Sequence, residues 1–241
     1  MNEMEFWEKY RDSNMILTGA QGFGLDPWHG CIPYTTSSPQ RLPCDVDRRI
    51  GVMKMLPSSV GKRRFITEMP ENLQEKLRGR REDPDSEYGK TTGRVRKIGW
   101  PDLHLVRYAV LALDIDALAI TKFDKIHDLV RAGIDKIKIC IGYRDSGGPV
   151  KGFPDNRYLF ERCQPVYKEM PLPKQNISGV RDFDDLPREA RDIIDFVCEH
   201  VGIGWDMISV GPRRGEVIEK IFDKRIKPKL IQPTFVVDFP R

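Results

Sequence analysis

The spacing of apolar positions changes along the chain, and the changes predict alternating helices and strands. Met15-Ile16-Leu17 is a short strand-like run that ends in Gly19-Ala20-Gln21-Gly22. Residues 39 to 50 read as a loop, because two prolines and several charges break any period. Glu71 to Tyr88 is highly charged and reads as a solvated helix followed by a loop. From Asp102 the pattern sharpens. Leu103, Val106, Ala109, Val110 and Leu113 keep helical spacing, and Asp102 stands where an N-cap is expected. Ala117 to Thr121 (ALAIT) predicts a short buried strand, and Lys136 to Tyr143 alternates with period two. Pro187 to Val201 predicts an amphipathic helix, opened by Asp184 or Asp185 as cap and ended by Gly202. Trp205 to Val210 is a last strand running into Gly211-Pro212. Beyond it, Glu216 to Lys229 is basic and helix-like, and Leu230 to Phe239 is extended and apolar. Helices alternating with short apolar strands give an α/β class.

Composition narrows the function. Apolar residues make up 39% and charged ones 32%, the balance of a soluble globular protein. A net charge of +4, with both signs interspersed, is too mild for nucleic acid but suits anionic substrates. The five cysteines (Cys31, Cys44, Cys140, Cys163 and Cys198) form no CxxC pair. That argues against a disulfide framework and a zinc site, and fits a reducing cytosol. No apolar run approaches the ~20 residues of a membrane span, and the N-terminus has no signal-peptide core. A cytoplasmic location is expected, with neither membrane nor nucleic acid as partner.

Four segments have residue types suited to chemistry. Gly19 to Gly30 (GAQGFGLDPWHG) is followed by Thr35-Thr36-Ser37-Ser38; its Gln21 amide can donate and accept, as reading a base requires. Tyr88 to Lys97 (YGKTTGRVRK) combines backbone N–H groups, hydroxyls and two arginines, whose guanidinium forks suit carboxylates. It lacks the glycine–lysine spacing of a Walker loop. Thr121-Lys122-Phe123-Asp124 follows the ALAIT strand. An Asp there can accept from guanine N1–H and its exocyclic amine, a donor pair that adenine lacks, while the Lys stem lies along the base. Ile208-Ser209-Val210-Gly211-Pro212 is a further strand end. Each segment taken singly also fits an ordinary turn, a solvated face or an N-cap.

In this order and spacing the four segments resemble adenylosuccinate synthetases, which show GAQG…LD…HG and TSS, then YGxTTGRxRRxGW, LTKxD and ISxGP. KIKICIGYR and QPVYKEMP also resemble family sequence. The resemblance covers about residues 15–212. It implies part of a fold with a mostly parallel central sheet flanked by helices. The implied activity is GTP-dependent ligation of aspartate to IMP in AMP biosynthesis, giving adenylosuccinate. The implied IMP contacts are Gln21, Leu25, Thr36 and Val60. Aspartate falls to Thr91, Thr92, Arg94 and Arg96, in a mobile loop, and GTP to Lys122, Asp124, Ser209 and Gly211.

The family begins with a Gly-Asp-Glu-Gly-Lys-Gly phosphate loop, whose Asp is base and magnesium ligand, and a catalytic His follows. None of these precedes Gly19, and none of the four histidines replaces that His. No catalytic residue is therefore assigned, and Mg2+ is expected for the complete enzyme with its ligands outside this chain. Ser59 stands where the family has an Arg before Val-Gly, and the connection after TSS is short. The implied partners are IMP, GTP and L-aspartate, a separate chain carrying the N-terminal half, and a second copy, since the family is homodimeric.

The expected organisation is an extension (1–14), the synthetase part (15–212) and an atypical tail (213–241). From Gly215 to Arg241 the tail resembles a class II lysyl-tRNA synthetase segment around LIQPTF. The chain is expected to be inactive and poorly soluble alone. Two alternatives stay open: a non-catalytic guanine-nucleotide-binding module, and a viral-type synthetase fragment acting on a 2-amino purine nucleotide.

Overall fold

The computed structural model describes residues 2–219, apart from 11, 12, 14, 15, 20, 21, 42–45, 84, 90–92, 155 and 214. Gln21, Thr91, Thr92 and the tail beyond 219 lie outside the described residues.

In chain order the elements are α1 (Glu3–Tyr10), β1 (Ile50–Lys54), β2 (Ser58–Ser59), α2 (Glu71–Leu77), β3 (Lys97–Ile98) and α3 (Leu103–Leu113). There follow β4 (Ala117–Thr121), α4 (Ile126–Arg131), β5 (Lys136–Asp145), β6 (Gly148–Val150) and α5 (Arg157–Arg162). The last four are β7 (Gln164–Pro171), α6 (Arg188–Val201), β8 (Trp205–Ser209) and β9 (Val217–Glu219). The main sheet has the order β1-β4-β8-β9. β1 and β8 both run parallel to β4, and β9 returns antiparallel to β8. All five residues of β4 are buried, as an uninterrupted apolar run in the middle of a parallel sheet requires. A second, antiparallel sheet has the order β6-β5-β7, and β2 pairs with β3.

α6 buries Ala190, Ile193, Ile194, Val197 and Val201, one stripe at helical spacing. Its Ile193 and Val197 join Leu118, Ile120 and Ile208 in the main core. Each fully buried aliphatic chain of this size contributes roughly 1.5–3 kcal/mol. α3 lies against both α6 and β5. Its predicted cap is present: Asp102 accepts from Leu105 N at 3.1 Å, and a second carboxylate oxygen takes the Tyr143 hydroxyl at 2.5 Å. In β5 the alternation holds through Lys136, Ile137, Lys138 and Ile139. A bulge between Cys140 and Gly142 then interrupts the register with β7.

Four local expectations are corrected. The N-cap of α6 is Pro187, not Asp184 or Asp185, and no side chain caps it. The Pro187 carbonyl accepts the first helical N–H groups, from Ala190 and Arg191, while Asp182 takes the Asp184 N–H in a local turn. The α6 C-terminus is as expected: Gly202 has φ 86°, a left-handed conformation that costs glycine little. Ile16 and Leu17 form no strand, and Ile16 is 62% exposed. The segment 71–88 is less solvated than its charge suggests, because Leu73, Gln74, Ser86 and Glu87 are buried. Gln74 donates to the Met69 carbonyl and accepts from Ile98 N, so its amide is satisfied inside. Finally, Val217–Glu219, read as the start of a helix, is strand β9, with Ile218 inserted in the main core.

Candidate nucleotide and aspartate site

The parallel strands β4 and β8 are in register at Ile120 and Ile208, so the segments following them leave the sheet at one edge. Ligand sites of open α/β sheets form at such carboxyl ends. After β4 the chain turns sharply. Lys122 has φ 54° and ψ 36°, and a 3-10 turn, Phe123–Lys125, leads into α4. Phe123 is fully buried and fixes the turn, leaving Asp124 half-buried beside it. Burial raises the Asp124 carboxyl above its ordinary value, with neighbouring Lys125 acting in the opposite direction. After β8, the Ser209 hydroxyl donates to the Gly211 carbonyl at 2.9 Å. Glu216 closes that loop through Arg213 N and the pairing of its own carbonyl with Val210 N. The four residues assigned to GTP thus leave the sheet on adjacent strands.

The described ends of the segment assigned to aspartate pair with each other. Tyr88 pairs with Val95, Gly89 N donates to the Arg94 carbonyl at 2.8 Å, and Arg96 N to the Glu87 carbonyl at 3.0 Å. Arg94 is exposed. Arg96 has its Nη1 3.5 Å from Glu87 Oε2.

Glu87 draws three cations together. Its Oε1 accepts from Lys122 Nζ at 2.8 Å and stands 2.7 Å from Lys54 Nζ. Lys122 also donates to the Asp85 carbonyl at 2.7 Å, and Lys54 to Ser58 Oγ at 2.6 Å. Burial by itself would raise the Glu87 carboxyl, but Lys54 and Lys122 override it and hold it at about 2. Lys54 is pushed down to about 8 by burial, against the pull of Glu87. Leu56, Ile98 and Lys125 complete a small pocket with Asp85, Glu87 and Lys122. Lys125 pairs with Asp85 at 2.6 Å.

The first sequence segment forms a separate loop around Asp26, whose side chain is fully buried. It accepts from Trp28 N (2.8 Å), His29 N (3.0 Å) and Gln40 N (2.6 Å), and its Oδ1 lies 2.9 Å from His29 Nδ1. Burial would raise its pKa, but the Gln40, Trp28 and His29 hydrogen bonds bring it below the ordinary value. Two residues assigned to IMP meet here: the Leu25 carbonyl accepts from Thr36 N at 2.8 Å and Thr36 Oγ1 at 3.3 Å. Val60, the third, follows β2 and is 44% exposed. Its segment is tied to the loop through Arg63 Nη1, which donates to the Gly24 carbonyl. Phe23 stacks on His29 and meets Tyr108 of α3 edge-on, both at 5.1 Å between ring centres.

Sequence reasoning missed Asp26, Glu87 and Lys54. Asp26 carried a signal, since Asp before Pro favours a turn closed by its own side chain. Glu87 and Lys54 carried none, because their partners come from distant parts of the chain. Among the described residues no group of three or more His, Cys, Asp or Glu is arranged to hold a metal ion. No helix among them is long and apolar enough to cross a membrane.

Comparison with known proteins gives one consistent family. Residues 2–218 match the family model described as Adenylosuccinate synthetase. The adenylosuccinate synthetase of Caldanaerobacter subterraneus subsp. tengcongensis is 38% identical over 214 residues, covering 85% of this chain and 48% of its own length. That of Geobacter metallireducens is 39% identical, with the same coverage. Among solved structures, the fully ligated adenylosuccinate synthetase from Plasmodium falciparum superposes with a TM-score of 0.73 at 28% identity. It covers 84% of this chain and 49% of that one. The chain therefore spans about half the length of the curated relatives it matches. On the family match and the shared fold, this chain belongs to the adenylosuccinate synthetase family.

Proposed function

We propose that this chain supplies the guanine-, aspartate- and part of the IMP-binding surface for GTP-dependent ligation of aspartate to IMP in the cytoplasm. The observation that carries the reading is that Lys122 of the turn after β4 and Arg96 of the segment assigned to aspartate both meet Glu87. Asp124 would accept from guanine N1–H and the 2-amino group, while the aliphatic stem of Lys122, its head anchored, lies along the base. Adenine would leave the half-buried carboxylate without donors, which is the basis of discrimination. Guanine's two donors would also favour the charged form that burial disfavours. Arg94 and Arg96, with Thr91 and Thr92, would hold the aspartate carboxylates, and Ser209 and Gly211 would close the guanine site. Gln21, Leu25, Thr36 and Val60 would line the IMP pocket.

Magnesium, when bound in a complete enzyme, would neutralise charge on the phosphoryl group in transfer. The described residues offer no ligand set that fits it, so none of the roles above runs through the metal. The remaining half of the relatives' length would come from a separate chain, with a second copy completing a homodimer. For residues 213–241 we propose kinship with a class II lysyl-tRNA synthetase segment, supported by LIQPTF.

The test is an assay with IMP, GTP, aspartate and magnesium, using this chain alone and with a separately made chain spanning the rest of a relative. Product from the mixture and none from this chain alone is the expected result. An ordinary rate from this chain alone would contradict the division of labour. No product from the mixture, with guanine nucleotide still bound, would favour a non-catalytic binding module.

A further inference from the structure

One side chain ties together two segments assigned to IMP. Arg63 follows Val60 by three residues, and its Nη1 donates to the carbonyl of Gly24, the residue before Leu25. Its guanidinium carbon lies 5.5 Å from the centre of the Phe160 ring in α5. The next residue, Arg64, donates from Nη1 to the Phe160 carbonyl at 2.6 Å. Phe160 is buried, so both arginines rest on a fixed support. That support reaches the loop around Asp26 by a second route. Phe160 meets Phe153 at 6.1 Å, Phe153 stacks on Tyr108 at 5.8 Å, and Tyr108 meets Phe23. Arg63 is held by a carbonyl and a ring, and it makes no ion pair among the described residues. Its buried Nε has no hydrogen-bond partner there, an arrangement that costs stability.

We infer that Arg63 is a positioning residue for IMP, setting through its bond to Gly24 the separation between Leu25 and Val60. The inference rests on the IMP reading of those two residues above. A guanidinium suits the task, because its plane can lie over a ring face while its edge donates to a carbonyl. A lysine head is a compact point charge and cannot hold both partners in one fixed geometry. Gly24 is matched to the contact. A Cβ there would stand 3.3 Å from Nη1 and 3.4 Å from Nη2 of Arg63, so a larger residue presses on the guanidinium.

The experiment is calorimetric titration of IMP, and separately of GDP, into the unmodified chain, Arg63→Met and Arg63→Lys. Hydrogen exchange is followed alongside in peptides covering 22–30 and α6. Arg63→Met should weaken IMP on the order of tenfold, the scale of one charge-assisted hydrogen bond. GDP should stay within about twofold, since its residues share no partner with Arg63. The 22–30 peptides should exchange faster in Arg63→Met while α6 is unchanged, which shows that the variant is folded. Arg63→Lys keeps the charge and a donor and should recover part of the IMP loss. Should Arg63→Met not fold, Gly24→Ala decides the matter: its methyl group displaces the guanidinium and should weaken IMP without weakening GDP. Unchanged IMP affinity in a folded variant would overturn the inference and leave the IMP reading standing. Equal losses for IMP and GDP would overturn it too, since a merely structural role moves both. Absence of IMP binding to the unmodified chain would remove the IMP reading and this inference with it.

Discussion

Arg48 grips Asp206 with two parallel hydrogen bonds, Nε to Oδ2 at 2.9 Å and Nη2 to Oδ1 at 2.8 Å. The pair joins the chain entering β1 to β8, although β4 lies between those strands. The Asp206 side chain is 7% exposed and that of Arg48 41%. Arg48→Ala would strand a buried carboxylate and should lower stability by about 3 kcal/mol. Asp206→Asn keeps the shape without a stranded charge and should cost less. Urea midpoints at unchanged m report both.

Two glycines in one loop should differ sharply in their response to the same change. A Cβ at Gly30 would lie 2.7 Å from the Asp26 carbonyl oxygen and 2.8 Å from that of Gly24, both of them backbone atoms that cannot turn aside. Gly22 has φ −88° and nothing within 4 Å of a Cβ. Gly30→Ala should cost about 1–3 kcal/mol. Gly22→Ala should stay within about 0.5 kcal/mol. Thermal melts of the two variants side by side make the comparison.

Stability should carry an acid limb that originates at Glu87. Its carboxyl is held at about 2 in the folded chain, against an ordinary 4.5. A depressed carboxyl contributes stability that is fully present above 4.5 and is lost as pH falls through 2. Urea unfolding measured from pH 6 to pH 2 should therefore show a steeper loss in the unmodified chain than in Glu87→Gln. Parallel curves for the two would mean that the carboxylate gains nothing from Lys54 and Lys122.

Much of the fold was legible locally, and the site less so. β4 declared itself as an unbroken apolar run, and Asp102 as a cap ahead of Leu103, because both signals lie within a few residues. β9 did not, since only Ile218 of its three residues enters the core and its charged neighbours suggest a helix. Pro187 displaced the predicted aspartate caps because its own carbonyl starts the helix, a role without a side-chain signature. Leu25 and Thr36, each assigned to IMP, are hydrogen-bonded to each other, while Asp26, the side chain that organises their loop, has no assigned role in the sequence reading. Glu87 read as one charge in a charged run. Its partners, Lys54 and Lys122, lie 33 residues before it and 35 after it, and only the folded sheet brings them together.

The central claim, that this chain carries the guanine-reading subsite, is tested most directly by exchanging the hydrogen-bond pattern at Asp124. The measurement is the affinity of the unmodified chain and of Asp124→Asn for GDP and for xanthosine diphosphate, whose base presents an acceptor where guanine has its amine. A carboxylate accepts from both guanine donors, whereas an asparagine amide accepts from N1–H and donates to the xanthine oxygen. The unmodified chain should prefer GDP by at least about tenfold, and Asp124→Asn should reverse the preference. An unchanged ratio in a folded variant would contradict it, and would place the base away from Asp124.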